Sequence, residues 1–459
     1  MKKINYIYTL VFIGFMSFTS CNTDDLDPSL EQNKSVEGSI TDVSNLYGII
    51  KGSYDAFTAA GYYGRDFIVT NEVRTDNCFS NGNSGRFTTQ ATFNYSSTTG
   101  YMWDEAYDAI ASANIIINTD LTTLTGDLDY GKHLQGQAYA IRALAHFDLL
   151  KSYGQQHVGG TLGVPYVKEF KGEELYPARN TVEEVKTFIM EDLNSAFTMM
   201  DEAYFDSSKV FMSKYAAKAL ESRVAVYFKM WPEAKLAAEA VINSGDYSII
   251  SASDYVGSWA QNGSSNSIFE LAFSSTDARG SDNISYIYRT GETGSYGDVQ
   301  VINEVANLYA AGDVRADILG YEPLSPRPTA LRNMGKYPGL NGYDNIPLIR
   351  YEEVILNYAE ALFETSGDAL TQINKITSNR GAAAYTTVTK DDILNERRKE
   401  LIFEGFRYDD LLRTGKSIVK FSLQQNIAST IPYGDPRMTW AIPKAEVDAN
   451  SNMVQNEGY

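Results

Sequence analysis

Histidine and cysteine are scarce in this chain of 459 residues, and this limits the chemistry it can support. The three histidines are His133, His146 and His157, and the two cysteines are Cys21 and Cys78. Protein zinc sites and cysteine–histidine nucleophile pairs are built largely from these two residue types. Both kinds of site are therefore disfavoured.

Basic residues are also in deficit, with 39 Lys and Arg against 58 Asp and Glu, for a formal net charge of -19. This balance argues against non-specific binding to nucleic acid and against docking on anionic membranes by basic patches. The hydrophobic share of 43% is enough for a core, and the length allows two or three domains or one long fold. The 32 tyrosines are abundant by contrast, and an acidic, tyrosine-rich chain resembles a binding protein more than a metalloenzyme.

Catalytic motifs are missing as well. The sequence contains no His-Glu-x-x-His pair, no Gly-x-Ser-x-Gly elbow and no phosphate-binding loop. A faint calcium-loop pattern starts at Asp127, but its twelfth position is Ala138 where a bidentate Glu is needed. The acidic and basic residues of 396–413 stand at i, i+3 and i, i+4 spacings, which predicts a structural ionic network rather than glycosidase carboxylates. His146 has apolar neighbours and is predicted to be a core residue.

The N-terminus has the pattern of a secretory signal. Lys2 and Lys3 precede a largely apolar run that ends at Phe18, too short for a typical membrane span. Cys21 stands at the expected cleavage site and resembles the lipidated cysteine of bacterial lipoproteins, although Phe18 replaces the usual leucine. We predict a signal peptide over 1–20, lipidation of Cys21 and an acidic tether over 21–38. Removal of the two lysines of 1–20 takes the formal charge from -19 to -21.

Helical periodicity dominates the rest of the chain. Apolar residues of 216–227 and 234–242 recur at i, i+3, i+4 and i+7 spacing, which predicts a helical hairpin with a break at Trp231. Thr181 and Glu184 have the spacing of a capping box. Phe269–Phe273 alternates like a short strand, and the tail from Pro432 is predicted to be irregular. Further helices are predicted at 39–58, 101–119, 132–152, 181–200, 301–311, 350–364 and 391–413.

Two long segments rich in Gly, Ser, Asn and Tyr, 61–100 and 251–300, separate these helices. Loops of this length are commonly functional or disordered, and their aromatic content argues against disorder. Tyrosine and tryptophan rings offer apolar faces to sugars or peptide side chains, while Asn, Asp and Arg hydrogen-bond polar groups. The predicted ligand-binding residues are Tyr62, Tyr63, Arg65, Arg74, Asp76, Asn77, Trp259, Tyr286 and Tyr288.

Several segments in order along the chain resemble the SusD/RagB family of nutrient-binding outer-membrane lipoproteins. They include Arg142-Ala-Leu-Ala-His146 within 137–154, Glu396-Arg-Arg-Lys-Glu400 and Glu404-Gly-Phe-Arg407 within 393–413. Other matching segments are 46–56, 103–114, 163–166, 349–362, 442–450 and 455–459.

The resemblance implies a mainly α fold, a superhelix with four tetratricopeptide-like helix pairs, a loop-rich ligand region and minor short strands. It implies an N-terminal helical region over 39–250 and a C-terminal region over 251–459, together forming one fold. It also implies a non-catalytic lid without a cofactor, held at the outer membrane on a SusC-like TonB-dependent barrel and capturing oligosaccharides. Two alternatives stay open: peptide capture, as in the RagB branch, and a lipoprotein glycosidase.

Overall fold

The computed structural model describes residues 39–169, 176–290 and 295–459. The predicted signal peptide, Cys21 and the tether lie outside the described residues. Residues Asp42–Tyr459 form one unit, and the predicted division of this unit near residue 250 stays a prediction.

Helices account for most of the regular structure. Their bounds are α1 Val43–Thr58, α2 Asp66–Val73, α3 Thr88–Ala91, α4 Trp103–Ile117, α5 Leu128–Tyr153, α6 Val182–Met199, α7 Lys214–Tyr227, α8 Trp231–Ser244, α9 Tyr255–Ser258, α10 Ile284–Tyr288, α11 Tyr351–Glu364, α12 Ala369–Ser378, α13 Lys390–Leu401, α14 Arg407–Arg413 and α15 Lys444–Ala449. The described part of the chain has no helix that is long and apolar enough to cross a membrane.

The long helices pack in pairs: α1 on α4, α5 on α6, α7 on α8 and α11 on α12. Neighbouring pairs also touch, because α4 packs on α5, α6 on α7 and α8 on α11. Small residues allow the close approach within the α7–α8 hairpin, where Ala234, Ala237 and Ala238 are fully or almost fully buried. The mainly α fold with four helix pairs is confirmed.

Local sequence signals mark several helix ends as predicted. Thr181 and Glu184 form a reciprocal capping box at the start of α6. Pro232 occupies the first turn of α8, and Gly245 ends α8 in the left-handed region at a φ of 77°.

Three predictions of secondary structure are wrong. The tail from Pro432, predicted to be irregular, contains the helix α15 and a 3₁₀ turn, Pro436–Met438. Residues 301–311 contain only a 3₁₀ segment, Asn303–Leu308, because the preceding residues belong to a strand. Residues 391–413 form two helices, α13 and α14, rather than one. Gly405 separates them with a φ of 82°, and its N–H donates to the buried Glu72 carboxylate at 2.9 Å.

In the described part of the chain, six short strands form three antiparallel pairs. These pairs are β1 Cys78–Ser80 with β3 Val299–Val301, β2 Ser267–Leu271 with β6 Ile346–Arg350, and β4 Leu319–Gly320 with β5 Arg332–Asn333. The predicted strand at 269–273 is confirmed in part, since β2 both starts and ends two residues earlier.

The predicted ionic network of 396–413 is buried and structural. Arg413 donates to both carboxylate oxygens of Glu360 at 2.6 and 2.8 Å, and Asp410 accepts from Arg413 at 2.7 Å. Since α11 carries Glu360 and α14 carries Arg413, the pair ties these two helices together. Core placement is also confirmed for His146, which is fully buried. Cys78 has a free thiol and is buried as well.

Glu360 is expected to make stability fall at low pH. Burial opposes its ionisation, but the positive charges of Arg413, Arg397 and Lys390 together outweigh burial and lower the Glu360 pKa from 4.5 to about 2. A depressed folded-state pKa stabilises the protein above pH 4.5, and this stabilisation is lost as the pH falls towards 2. We expect the stability difference between wild type and Glu360→Gln, measured by urea unfolding, to shrink by about 2 to 3 kcal/mol between pH 6 and pH 2. A difference that stays constant with pH would contradict this assignment.

Candidate functional site

The antiparallel pairing of β1 with β3 brings the two tyrosine-rich segments of the sequence together. Cys78 lies opposite Val301, and Ser80 lies opposite Val299. The contact continues past the strands, since the Asn81 N–H donates to the Asp298 carbonyl at 2.8 Å. Residues about 220 positions apart in the sequence thus border one surface.

A buried carboxylate shapes the loop that follows β1. Asp298 is fully buried and accepts hydrogen bonds from the Ser84 N–H at 3.1 Å and the Ser84 hydroxyl at 2.7 Å. Asn81 donates through Nδ2 to the Gly297 carbonyl at 2.7 Å. These bonds fix the path of 81–85 and direct Arg86 towards the neighbouring tyrosines.

Two tyrosines form the aromatic part of this surface. Tyr286 lies on α10, whose first turn is capped by the Asn283 side chain, and Tyr296 lies shortly before β3. The Gly297 N–H donates to the Tyr286 carbonyl at 2.9 Å, and the two rings lie 6.5 Å apart at 65°. Gly297 has a φ of 54°, and a Cβ there would lie 2.4 Å from the Thr290 methyl group, so the turn requires glycine.

Charged groups surround the rings. The Arg86 guanidinium lies 3.8 Å from the centre of the Tyr296 ring, a cation–π geometry, and 3.9 Å from Asp282. Arg65 also binds Asp282, at 2.5 Å. We call the surface formed by Arg65, Arg86, Asp282, Tyr286 and Tyr296 the tyrosine platform.

The platform is open to solvent and its groups are oriented. The Asp282 side chain is 52% exposed and the Arg86 side chain 32%, while Tyr286 and Tyr296 are half-buried. Hydrogen bonding with Ser281 and then with Arg86 lowers the pKa of the Tyr296 hydroxyl, which makes it a better hydrogen-bond donor. Aromatic faces beside an Arg fork and a carboxylate can hold a ligand that has both apolar C–H faces and hydroxyls.

Arg65 and Tyr286 are the predicted ligand-binding residues that belong to the platform. The other predicted residues have structural partners. Tyr62 and Tyr63 are buried and both donate to one Asp148 oxygen at 2.7 Å. Their burial removes them from the surface that a ligand could reach.

Three further residues that were predicted to bind ligand stabilise the segment that precedes β1. Arg74 is buried, with its guanidinium 3.6 Å from the centre of the Tyr408 ring. Arg407 binds both oxygens of Asp76 at 2.7 and 2.8 Å. Asn77 is fully buried and donates to Glu72 at 2.9 Å.

Trp259 and Tyr288 also lie in the interior. The Trp259 ring meets Tyr337 edge-on at 5.5 Å, and Tyr288 packs on Phe403 at 5.5 Å. Trp259 is 7% exposed and Tyr288 1% exposed, so neither presents a ring face to solvent. The structure therefore assigns these two aromatic residues to the core.

Arg86, Asp282 and Tyr296 are platform residues that the sequence prediction left out. A local signal was present for Arg86, which directly follows the Gly- and Asn-rich run 81–85. Asp282 and Tyr296 carry no such signal, because their position beside Arg86 depends on the β1–β3 pairing. Within the described residues, no group of three or more His, Cys, Asp and Glu side chains is placed to hold a metal ion.

Family models match both ends of the chain. Residues 330–459 match the model described as the SusD family, and residues 26–226 match the model described as "Starch-binding associating with outer membrane". The chain belongs to the SusD/RagB family. SusD-family proteins are non-catalytic binding proteins, so the glycosidase alternative is wrong.

Two individual relatives with similar sequences are SusD and a SusD-like protein. The starch-binding protein SusD of Bacteroides thetaiotaomicron is 34% identical over 122 residues, which cover 25% of this chain and 22% of that protein. SusD-like protein P38 of Formosa agariphila is 24% identical over 438 residues, covering 80% of this chain and 83% of that protein. The match to SusD thus spans about a fifth of that protein's length.

A solved structure of a SusD superfamily protein from Bacteroides vulgatus has the same fold. It superimposes with a TM-score of 0.83 at 28% identity, and the alignment covers 92% of this chain and 100% of that one. The SusD-like architecture therefore extends over almost all of this SusD/RagB-family chain.

Proposed function

We propose that this SusD/RagB-family protein captures oligosaccharides on the tyrosine platform and delivers them to a SusC-like, TonB-dependent outer-membrane barrel, over which it acts as a lid. The observation that carries the proposal is the half-buried, solvent-accessible cluster of Tyr286, Tyr296 and Arg86 at the junction of the two long loops. Stacking faces beside hydrogen-bonding charges suit the alternating apolar and hydroxyl surfaces of a sugar.

The names of relatives support the carbohydrate class. The relative with 34% identity over its matched segment is a starch-binding protein, and one family model describes starch binding in association with the outer membrane. In the proposed assembly, lipidation of Cys21 would tether the chain to the membrane. Co-purification of a TonB-dependent barrel with the lipidated protein from detergent-solubilised membranes tests this partner.

Loss of the Tyr296 ring is expected to weaken glycan binding. We expect Tyr296→Ala to lower the affinity for the bound oligosaccharide by about tenfold or more, because it removes a stacking face and the ring that positions Arg86. Isothermal titration calorimetry against a panel of plant, host and microbial oligosaccharides measures the change. Arg86→Ala should weaken the same ligand by a similar factor.

Tyr176→Ala is the matched control, because Tyr176 is an exposed tyrosine (54%) outside the platform, and it should leave affinity unchanged. Equal loss in both tyrosine variants would contradict the platform assignment. Tight binding of peptide mixtures without any bound glycan would replace the carbohydrate class with the peptide alternative.

A further inference from the structure

A cavity separate from the tyrosine platform lies among the N-terminal helix pairs. It has a volume of about 550 Å³ and is bordered by α1, the start of α5, the start of α7 and the 3₁₀ turn Glu202–Tyr204. Its volume is within the range of about 300 to 1,000 Å³ that is typical of small-molecule sites. None of its lining residues belongs to the tyrosine platform.

One wall of the cavity is a continuous row of aromatic rings. The Phe211 and Tyr47 ring centres lie 5.9 Å apart, Tyr47 and Tyr130 lie 6.3 Å apart, and Tyr130 and Tyr204 lie 5.1 Å apart. All four side chains are half-buried. The row therefore offers ring surface to a ligand without belonging to the closed core.

His133 and Gln137 line the cavity from α5, and each has a side-chain donor that makes no hydrogen bond to a described residue. They stand at i and i+4, on the same face of the helix, and are 2% and 3% exposed. His133 Nδ1 accepts the Asp201 N–H at 3.1 Å, so the neutral ring carries its proton on Nε2. Gln137 Oε1 accepts the Tyr54 hydroxyl at 2.8 Å. In the described part of the chain, no protein group accepts a hydrogen bond from the Nε2 atom of His133 or from the Nε2 atom of Gln137.

The rim of the cavity is acidic. Its carboxylates are those of Asp201, Glu202, Asp206 and Asp246, and the cationic side chain among the lining residues is Lys214. Burial lowers the pKa of His133, which keeps that ring uncharged at neutral pH. The excess of carboxylates opposes entry of an anion, while the same oxygens accept hydrogen bonds from hydroxyls.

We propose that this cavity is a second carbohydrate-binding site, which takes a neutral mono- or disaccharide unit and excludes acidic sugars. Hydroxyls both donate and accept, so one sugar satisfies the His133 and Gln137 donors and the rim carboxylates together, while its C–H face lies on the ring row. The ligand class rests on the proposed function, whereas the location of the site does not involve the platform.

Blocking the cavity tests the proposal. Ala203 lines it and is solvent-exposed, so Ala203→Trp fills the opening without disturbing the core, and Ala203→Ser is the matched control. The probes are glucose, galactose, mannose, xylose, maltose, cellobiose and lactose, with glucuronate as the acidic comparison. Binding to the mature chain is measured by saturation-transfer difference NMR and calorimetry.

We expect at least one neutral probe to bind wild type and Tyr296→Ala equally, and to lose about tenfold or more in affinity in Ala203→Trp but not in Ala203→Ser. Tyr47→Ala, which removes one ring, should give a similar loss. Glucuronate should not bind the cavity.

Loss of all probe binding in Tyr296→Ala, or unchanged binding in both Ala203→Trp and Tyr47→Ala, overturns the second site and leaves the platform standing. Loss confined to Ala203→Trp and Tyr47→Ala, with no effect of Tyr296→Ala on any glycan, supports the second site and removes the platform instead. Absence of glycan binding to wild type would refute both.

Discussion

Glu400→Ala is expected to lower the free energy of unfolding by about 3 to 5 kcal/mol, one of the two largest effects predicted for this chain. Glu400 is fully buried and accepts from Arg380 at 2.9 Å through each of its carboxylate oxygens. Arg350 donates to it at 3.2 Å. Arg315, also fully buried, lies 3.5 Å from the second oxygen. Removing the carboxylate therefore leaves three buried guanidinium groups without part of their counter-charge.

The position of Glu400 explains why the loss should spread through the fold. Arg380 follows α12, Arg350 closes β6 and Glu400 lies on α13, so one carboxylate connects three elements of the C-terminal half. Burial opposes ionisation of Glu400, but the Arg380 and Arg350 charges outweigh it and hold its pKa well below the usual range. The residue is therefore ionised in the folded protein at neutral pH.

Urea unfolding at pH 7 measures this change, with Asp391→Asn as the control. Asp391 pairs with Lys416 at 2.9 Å, but both side chains are largely exposed, at 75% and 47%. Screening by water makes the contribution of such exposed pairs to stability small. Equal destabilisation by the two substitutions would show that the buried network has no special weight.

Trp440→Ala is expected to cost about 3 to 5 kcal/mol, because it leaves a large cavity in a stacked aromatic cluster. Trp440 is 1% exposed and lies between Tyr95, at 4.0 Å, and Tyr101, at 4.2 Å, with all three rings nearly parallel. Its carbonyl accepts from Asn456 at 2.7 Å. The tryptophan thus attaches the C-terminal tail to the segment that precedes α4.

Trp440→Phe is the informative comparison. The indole Nε1 has no hydrogen-bond partner among the described residues, so replacement by a phenyl ring removes only stacking area and volume. We expect Trp440→Phe to lower the free energy of unfolding by about 1 to 2 kcal/mol. Chemical unfolding of both variants measures the difference. Equal losses for alanine and phenylalanine would contradict a stabilisation based on ring stacking.

Local patterns in the sequence were sufficient to predict most long helices. The stripe of small and apolar residues in 234–242 repeats at helical spacing, and the Thr181–Glu184 pair satisfies the first turn of α6 from within four residues. Such local signals fail where a residue far away in the sequence determines where a helix ends. Gly405 interrupts the predicted helix 391–413 because its N–H is bound by Glu72, a residue of α2.

The residues of the proposed platform were harder to predict for the same reason. The sequence identified the two segments, 61–100 and 251–300, that meet at the platform, but it did not separate exposed from buried side chains within them. Tyr62 and Tyr286 are chemically alike. Tyr62 is in the core because Asp148, 86 positions away, accepts its hydroxyl, and Tyr286 borders the surface because Gly297 turns the chain beside it.

By itself, the sequence determined the family, the helical character of the chain and the scarcity of residues for zinc or cysteine–histidine chemistry, since motif order, periodicity and composition are properties of the linear chain. The tertiary structure alone decided which tyrosines and arginines face solvent and which carboxylates are paired. Burial and ion pairing depend on residues far apart in the sequence, and the β1–β3 pairing and the Glu400 network exist only once those residues have been brought together.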